Sequence, residues 1–181
     1  RNYTSARLTT KKKGDWLYGR FEIRAKLPKG VGTWPAIWML ATEQTHGSQY
    51  WPDNGEIDIM EHVGFDPTVV HGTIHTKAFN HGINTQKGNS LIVPTAMTDF
   101  HTYVVEWYPD RMKWLIDDVV YYDIPKQTSW SWNQWPFDHK FHLLLNVAIG
   151  RNWGGTKGID DSIFPQKMEV DYVRVYPLKT N

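Results

Sequence analysis

The chain has 181 residues, of which 40% are hydrophobic and 22% charged, with a formal net charge of +1. This length allows one domain with a sizeable core, the composition excludes a disordered polymer, and no apolar run is long enough to span a bilayer as a helix. The near-zero net charge speaks against electrostatic binding of nucleic acid, the one basic cluster, Lys11-Lys12-Lys13, reading as a solvated turn, and with no cysteine there is neither a disulfide framework nor a thiolate site.

In chain order the sequence breaks into short β-rich runs at residues 3–12, 20–27, 34–41, 55–62, 69–77, 100–108, 111–117, 119–124, 140–149 and 168–176. The clearest is 20–27, where Phe21, Ile23, Ala25 and Leu27 alternate with Arg20, Glu22, Arg24 and Lys26, as in a half-buried strand. Asp117-Asp118 reads as a tight hairpin turn. Residues 42–54 and 78–99, rich in Gly, Asn, Gln and Ser, read as rim loops. No run carries a capped helical stripe, so the expected fold is all-β, an antiparallel jelly-roll sandwich. Aromatic residues are abundant, with 10 Trp, 9 Tyr and 7 Phe. They suit either a sheet core or a stacking platform for sugars or bases.

The segment Gly55-Glu56-Ile57-Asp58-Ile59-Met60-Glu61-His62 places three carboxylates in a run that is otherwise strand-like. Alternation puts Glu56 and Asp58 on one face and Glu61 on the other. A β-bulge, most simply at Met60, flips the parity and brings all three together. Four effective steps of roughly 3.3 Å then separate Glu56 and Glu61 by about 13 Å between Cα atoms, so their carboxyls must lean inward. Carboxyls about 5–5.5 Å apart suit a glycosidase that retains anomeric configuration, and crowded charge favours keeping one acid protonated. A solvated acidic edge and a calcium site are the alternatives, the latter opposed by the apolar Ile57, Ile59 and Met60.

The run from Gly55 to Gly64 resembles the signature of glycoside hydrolase family 16, in its laminarinase branch. The resemblance extends through Tyr3-Thr4-Ser5-Ala6-Arg7-Leu8, Thr33-Trp34-Pro35-Ala36-Ile37-Trp38-Met39-Leu40, Val70-His71-Gly72-Thr73-Ile74-His75, Leu145-Asn146-Val147-Ala148-Ile149-Gly150 and Val170-Asp171-Tyr172-Val173-Arg174-Val175-Tyr176. It implies a jelly roll with a concave substrate-binding cleft, with Glu56 as nucleophile, Glu61 as acid/base and Asp58 as their helper. It also implies retaining endo-hydrolysis of β-1,3-glucosidic bonds in laminarin-like glucans. The same chemistry on mixed-linkage glucan or another polysaccharide, and a non-catalytic glucan-binding fragment, are the alternative readings.

Around this centre, Trp34 and Trp38 share a strand face and can stack on sugar rings, core packing being the alternative for Trp38. By resemblance Trp34 and Trp51 line the substrate site, and His75 lies beside the carboxylates. His71, Thr73 and His75 share a strand face, but two histidines at that spacing supply no further ligands for a metal, so no metal site is assigned and His71 reads as structural. Arg7 is a candidate donor to sugar hydroxyls, Asn146 a polar residue in an apolar run, and Trp153 a far-rim aromatic. Family members carry strands before the Tyr3 motif that this sequence does not contain, so residues 1–181 read as a single catalytic domain without its usual N-terminal strands. No cofactor is required by this reading. The family's structural calcium is left open, with Asp171 the one contributor present. Arg151 replaces the family's second glycine. A monomeric, secreted protein acting on polysaccharide is expected, with neither nucleic acid nor membrane as partner.

Overall fold

The computed structural model describes residues 2–178. Twelve strands follow in order: β1 (Arg7–Thr9), β2 (Asp15–Trp16), β3 (Gly19–Lys26), β4 (Thr33–Ala41), β5 (Glu56–Glu61), β6 (Val69–His75), β7 (Lys87–Ile92), β8 (His101–Tyr108), β9 (Arg111–Ile116), β10 (Val119–Pro125), β11 (Phe141–Ile149) and β12 (Glu169–Tyr176). The helical elements among the described residues are two single-turn 3₁₀ segments, His81–Ile83 and Asp161–Ile163. Among the described residues no helix is long and apolar enough to cross a membrane.

The strands form two antiparallel sheets. One has the order β1-β11-β4-β5-β6-β7 with β2 also pairing β11; the other runs β10-β9-β8-β3-β12. Their facing surfaces enclose the core, in which Phe21, Tyr103, Trp107, Trp114, Phe137 and Phe141 are the bulkiest wholly buried side chains. The alternation of β3 explains its place. Phe21, Ile23 and Ala25 are fully buried, while the outward Arg20, Arg24 and Lys26 pair with Glu106, Asp171 and Glu169 at 2.9, 2.7 and 2.8 Å. These charge pairs bridge β3 to its two neighbours and fix register more than they add stability.

Two expected elements differ. Residues 3–12 contain only the three-residue β1, because Tyr3 leaves the sheet to donate its hydroxyl to Asp161 and Lys12 takes a positive φ of 64°. Residues 78–99 are not all loop, since they hold β7, an edge strand whose Gly88, Asn89 and Ser90 are exposed and carry no apolar alternation. The Asp117-Asp118 turn is as expected, both residues having positive φ (48° and 65°) and Ile116 pairing Val119, the geometry of a two-residue type I′ hairpin.

Candidate active site

The site forms on the outer face of the first sheet, and its geometry comes from a defect in β5. Glu56 stands opposite Leu40 and Glu61 opposite Ala36 on β4, so six residues of β5 match five of β4. The unpaired residue is Ile59, since Met60 still pairs with Ile37 and Asp58 with Trp38. This corrects the expectation of Met60 as the extra residue. On the other side, Asp58 pairs with Thr73 and Glu61 with His71, leaving Ile59 and Met60 against Gly72 alone. Both Ile59 and Met60 are buried in the core, and that double inward step puts Glu61 on the same face as Glu56 and Asp58.

The core holds this bulge in place. Trp114 donates its Nε1 hydrogen to the Asp58 carbonyl at 2.8 Å, satisfying a backbone acceptor at the irregularity. Gly72 is required by close approach, because an added Cβ would lie 2.5 Å from both Trp114 Cδ1 and Tyr121 Oη.

Each glutamate is held by an indole from a different element. Trp34 Nε1 on β4 donates to Glu61 Oε1 at 3.0 Å, and Trp51 Nε1, from the loop before β5, donates to Glu56 Oε2 at 2.8 Å. His75 Nε2 lies 3.3 Å from Asp58 Oδ2 and 4.0 Å from Glu56 Oε1. Asp58 Oδ2 and His75 Nδ1 are buried without a hydrogen-bond partner, so the 3.3 Å approach is a close contact, not an aligned bond. Trp38 donates to Asn146 Oδ1 at 2.7 Å with the Arg7 guanidinium 4.9 Å over its ring. Trp153 packs edge-on against Trp34 at 5.7 Å and His71 at 4.9 Å.

All ten expected site residues therefore gather on one sheet face. Of the tryptophans, Trp107, Trp114 and Trp135 are buried in the core, while Trp34, Trp38, Trp51 and Trp153 stand around the carboxylates. The core explanation for the tryptophan content holds for the first three. His71, expected to be structural, instead faces the site across from Glu61. His81 was not anticipated. Its ring lies 5.1 Å from Trp51 and 5.2 Å from His75, brought there by a loop without periodic pattern.

The electrostatics follow from crowding in a poorly hydrated place. Burial first, and the Asp58 charge second, push the Glu56 carboxyl well above the ordinary range. Burial likewise raises Asp58, with Glu61 adding to it, and burial raises Glu61 against the opposing hydrogen bond from Trp34. The face thus retains protons where isolated carboxyls would have lost them. Glu56, Asp58 and His75 also offer three ligand atoms within 4.8 Å of one another, so an added divalent cation would compete for the same carboxylates. Asp171, the one residue that the family's calcium site would share with this sequence, has its Oδ2 held by Arg24 at 2.7 Å.

Two antiparallel sheets carrying a pair of buried, indole-held glutamates on one face make a jelly roll with a carboxylate-lined site. The family model of glycosyl hydrolases family 16 matches residues 1–174, and the chain belongs to that family. It is 61% identical over 180 residues to the beta-glucanase of Rhodothermus marinus, the match covering 97% of this chain and 63% of that protein. It is 40% identical over 186 residues to the glucan endo-1,3-beta-glucosidase of Cryptopygus antarcticus, covering 96% and 67% respectively. The solved laminarinase of Rhodothermus marinus superposes with a TM-score of 0.96 at 60% identity, covering 98% of this chain and 72% of that one. The chain thus spans under two thirds of the length of the Rhodothermus marinus beta-glucanase.

Proposed function

We propose that this chain is the catalytic unit of a secreted, monomeric endo-β-1,3-glucanase that cleaves laminarin-like glucans with retention of configuration. The observation that carries the reading is the bulge. It sets Glu56 and Glu61 on one face, four ladder steps apart on β4, each oriented by an indole N–H. The names of the Rhodothermus marinus and Cryptopygus antarcticus relatives support glucan, and the β-1,3 linkage in the second case.

In the first step a Glu56 carboxylate oxygen attacks the anomeric carbon while Glu61 gives its proton to the departing glycosidic oxygen; in the second, Glu61 takes a proton from water, which displaces Glu56 and regenerates both groups. Burial raises the Glu61 carboxyl, which favours the protonated form that the first step requires. Burial raises both Glu56 and Asp58, and the Asp58 charge raises Glu56 further; the attack requires that a proton shared by the pair sit on Asp58, leaving Glu56 as the anion. Trp34, Trp38, Trp51 and Trp153 offer ring faces to the sugars, and Arg7 and Asn146 offer polar contacts, so the face acts as the floor of a cleft. No cofactor takes part in either step.

The test is reducing-end release from laminarin, with lichenan and agarose alongside, and with NMR of the first-formed anomer. The parent should cleave laminarin and yield the β-anomer first. Glu56→Ser should lose hydrolysis while still retarding in a laminarin affinity gel, and full activity in that variant would remove Glu56 from the nucleophile role.

A further inference from the structure

Away from the carboxylate strand, metal-ligating side chains from two separate loops converge. His46 lies in the segment that leads through Trp51 to β5, while Asp138 and His139 precede β11. His46 Nε2 is 2.7 Å and His139 Nδ1 is 3.2 Å from the same atom, Asp138 Oδ1. One ligand atom from each residue lies within 4.8 Å of the other two. The imidazoles are mostly covered, with 18% and 11% of their side-chain surface exposed, and the carboxylate is 57% exposed. Solvent, or an ion, reaches the cluster at Asp138.

The rings are fixed by more than Asp138. Trp132 stacks on His46 with centroids 5.5 Å apart and planes 4° from parallel, and Phe141 stacks on His139 at 5.1 Å and 27°. The fully buried Asn54 accepts from the His46 backbone N–H at 2.7 Å and donates to the His46 carbonyl at 3.0 Å. Two imidazole nitrogens are thereby aimed at one carboxylate oxygen before any ligand arrives, which reduces the ordering cost of binding.

We propose that His46 Nε2, His139 Nδ1 and the Asp138 carboxylate form a site for one divalent transition ion of the zinc type, with water as the fourth ligand. Two imidazoles and one carboxylate suit zinc, whereas calcium and magnesium favour all-oxygen sets. Bond lengths of about 2.0–2.1 Å put the ligand atoms of a tetrahedral zinc about 3.3 Å apart. The nitrogen–oxygen separations are already 2.7 and 3.2 Å, so the carboxylate has only to withdraw by a few tenths of an ångström as the ion replaces the shared protons. The ion cross-links the 42–54 loop, which carries Trp51 and through it orients Glu56, to the segment entering β11. It acts as a staple and takes no part in hydrolysis.

The competing location is the Glu56, Asp58 and His75 set, and the experiment separates the two. Metal-free parent, Glu56→Gln, Asp138→Asn and His46→Gln proteins are titrated with zinc chloride by calorimetry and with cobalt(II) by visible absorption, their fold checked by circular dichroism. The parent and Glu56→Gln should each bind one ion with tetrahedral cobalt bands. Asp138→Asn and His46→Gln should bind at least about ten-fold more weakly. Zinc at about one hundred times the parent's Kd should raise the melting temperature of the parent by roughly 5–10 °C, and that of Asp138→Asn by no more than about half as much at the same concentration. Asp138→Asn is an isosteric change at an exposed side chain, so it decides the matter if His46→Gln loses its fold. Absence of binding at millimolar zinc, or a zinc affinity that Asp138→Asn does not weaken, would overturn the assignment.

Discussion

Asp58→Asn should make the protein more stable at neutral pH while making it a poorer catalyst. The Asp58 side chain is 3% exposed and that of Glu56 15%, and their ligand oxygens lie within 4.8 Å. Two full charges at that distance repel by about 3 kcal/mol at an effective dielectric of about 20, and the pair escapes only by holding a proton. Burial raises both carboxyls above their unfolded values. For acids whose folded pKa is raised, the stabilising contribution is complete below the unfolded pKa near 4 and is lost as pH climbs towards the folded value. Asparagine does not titrate, keeps the shape, and can donate its amide to the Glu56 carboxylate. The variant should therefore gain about 1–3 kcal/mol at pH 7, equivalent to roughly 3–10 °C in melting temperature, and the advantage should shrink towards zero near pH 4. Thermal unfolding from pH 4 to 8 measures this, with laminarin hydrolysis lowered but present. A variant less stable than the parent at pH 7, or an advantage that does not vary with pH, would refute the account of the paired acids.

Replacing Trp34 by Phe removes the N–H that lowers the Glu61 pKa, so the alkaline limb of the kcat/KM profile should move to higher pH; an unmoved limb would detach Trp34 from control of the acid. Gly72→Ala drives a methyl group into Trp114 and Tyr121 and should cost about 3 kcal/mol or more, read from denaturant midpoints, with laminarin hydrolysis falling in the fraction that remains folded. Arg151 has a φ of 64°, a conformation costing about 1–2 kcal/mol for a residue with Cβ. Arg151→Gly relieves that strain against a loss of roughly 0.4–1 kcal/mol through greater unfolded-chain freedom, so melting temperature should rise by about 1–3 °C.

Periodicity reached those elements whose two faces differ in solvent exposure. β3 is legible because Phe21, Ile23 and Ala25 are wholly buried while Arg20 and Glu22 face outward, and the bulge in β5 is legible because three carboxylates cannot otherwise share a face. β7 was hidden because its residues are largely exposed and its place at the sheet edge comes from pairing with β6, not from a buried stripe. The position of the extra residue was misjudged for a related reason. Ile59 and Met60 are both apolar, both buried and chemically interchangeable to a pattern argument, and only the ladder to Ile37 decides which is unpaired.

The same distinction separates the site residues. Trp34, Trp38 and Asn146 could be placed because their strands fix parity, and β4 and β11 are neighbours that set Trp38 close enough to donate to Asn146. His81 and the His46, Asp138 and His139 cluster sit on loops, where direction is set by tertiary contacts such as the Asn54 side chain gripping His46 and the Trp51 ring beside His81. What a strand contributes to this molecule is register, and a bulge edits that register by one residue to bring two acids together. What the loops contribute is the N–H that orients Glu56 from Trp51, so rigidity in residues 42–54 is the means by which a surface cluster remote in sequence bears on the orientation of Glu56.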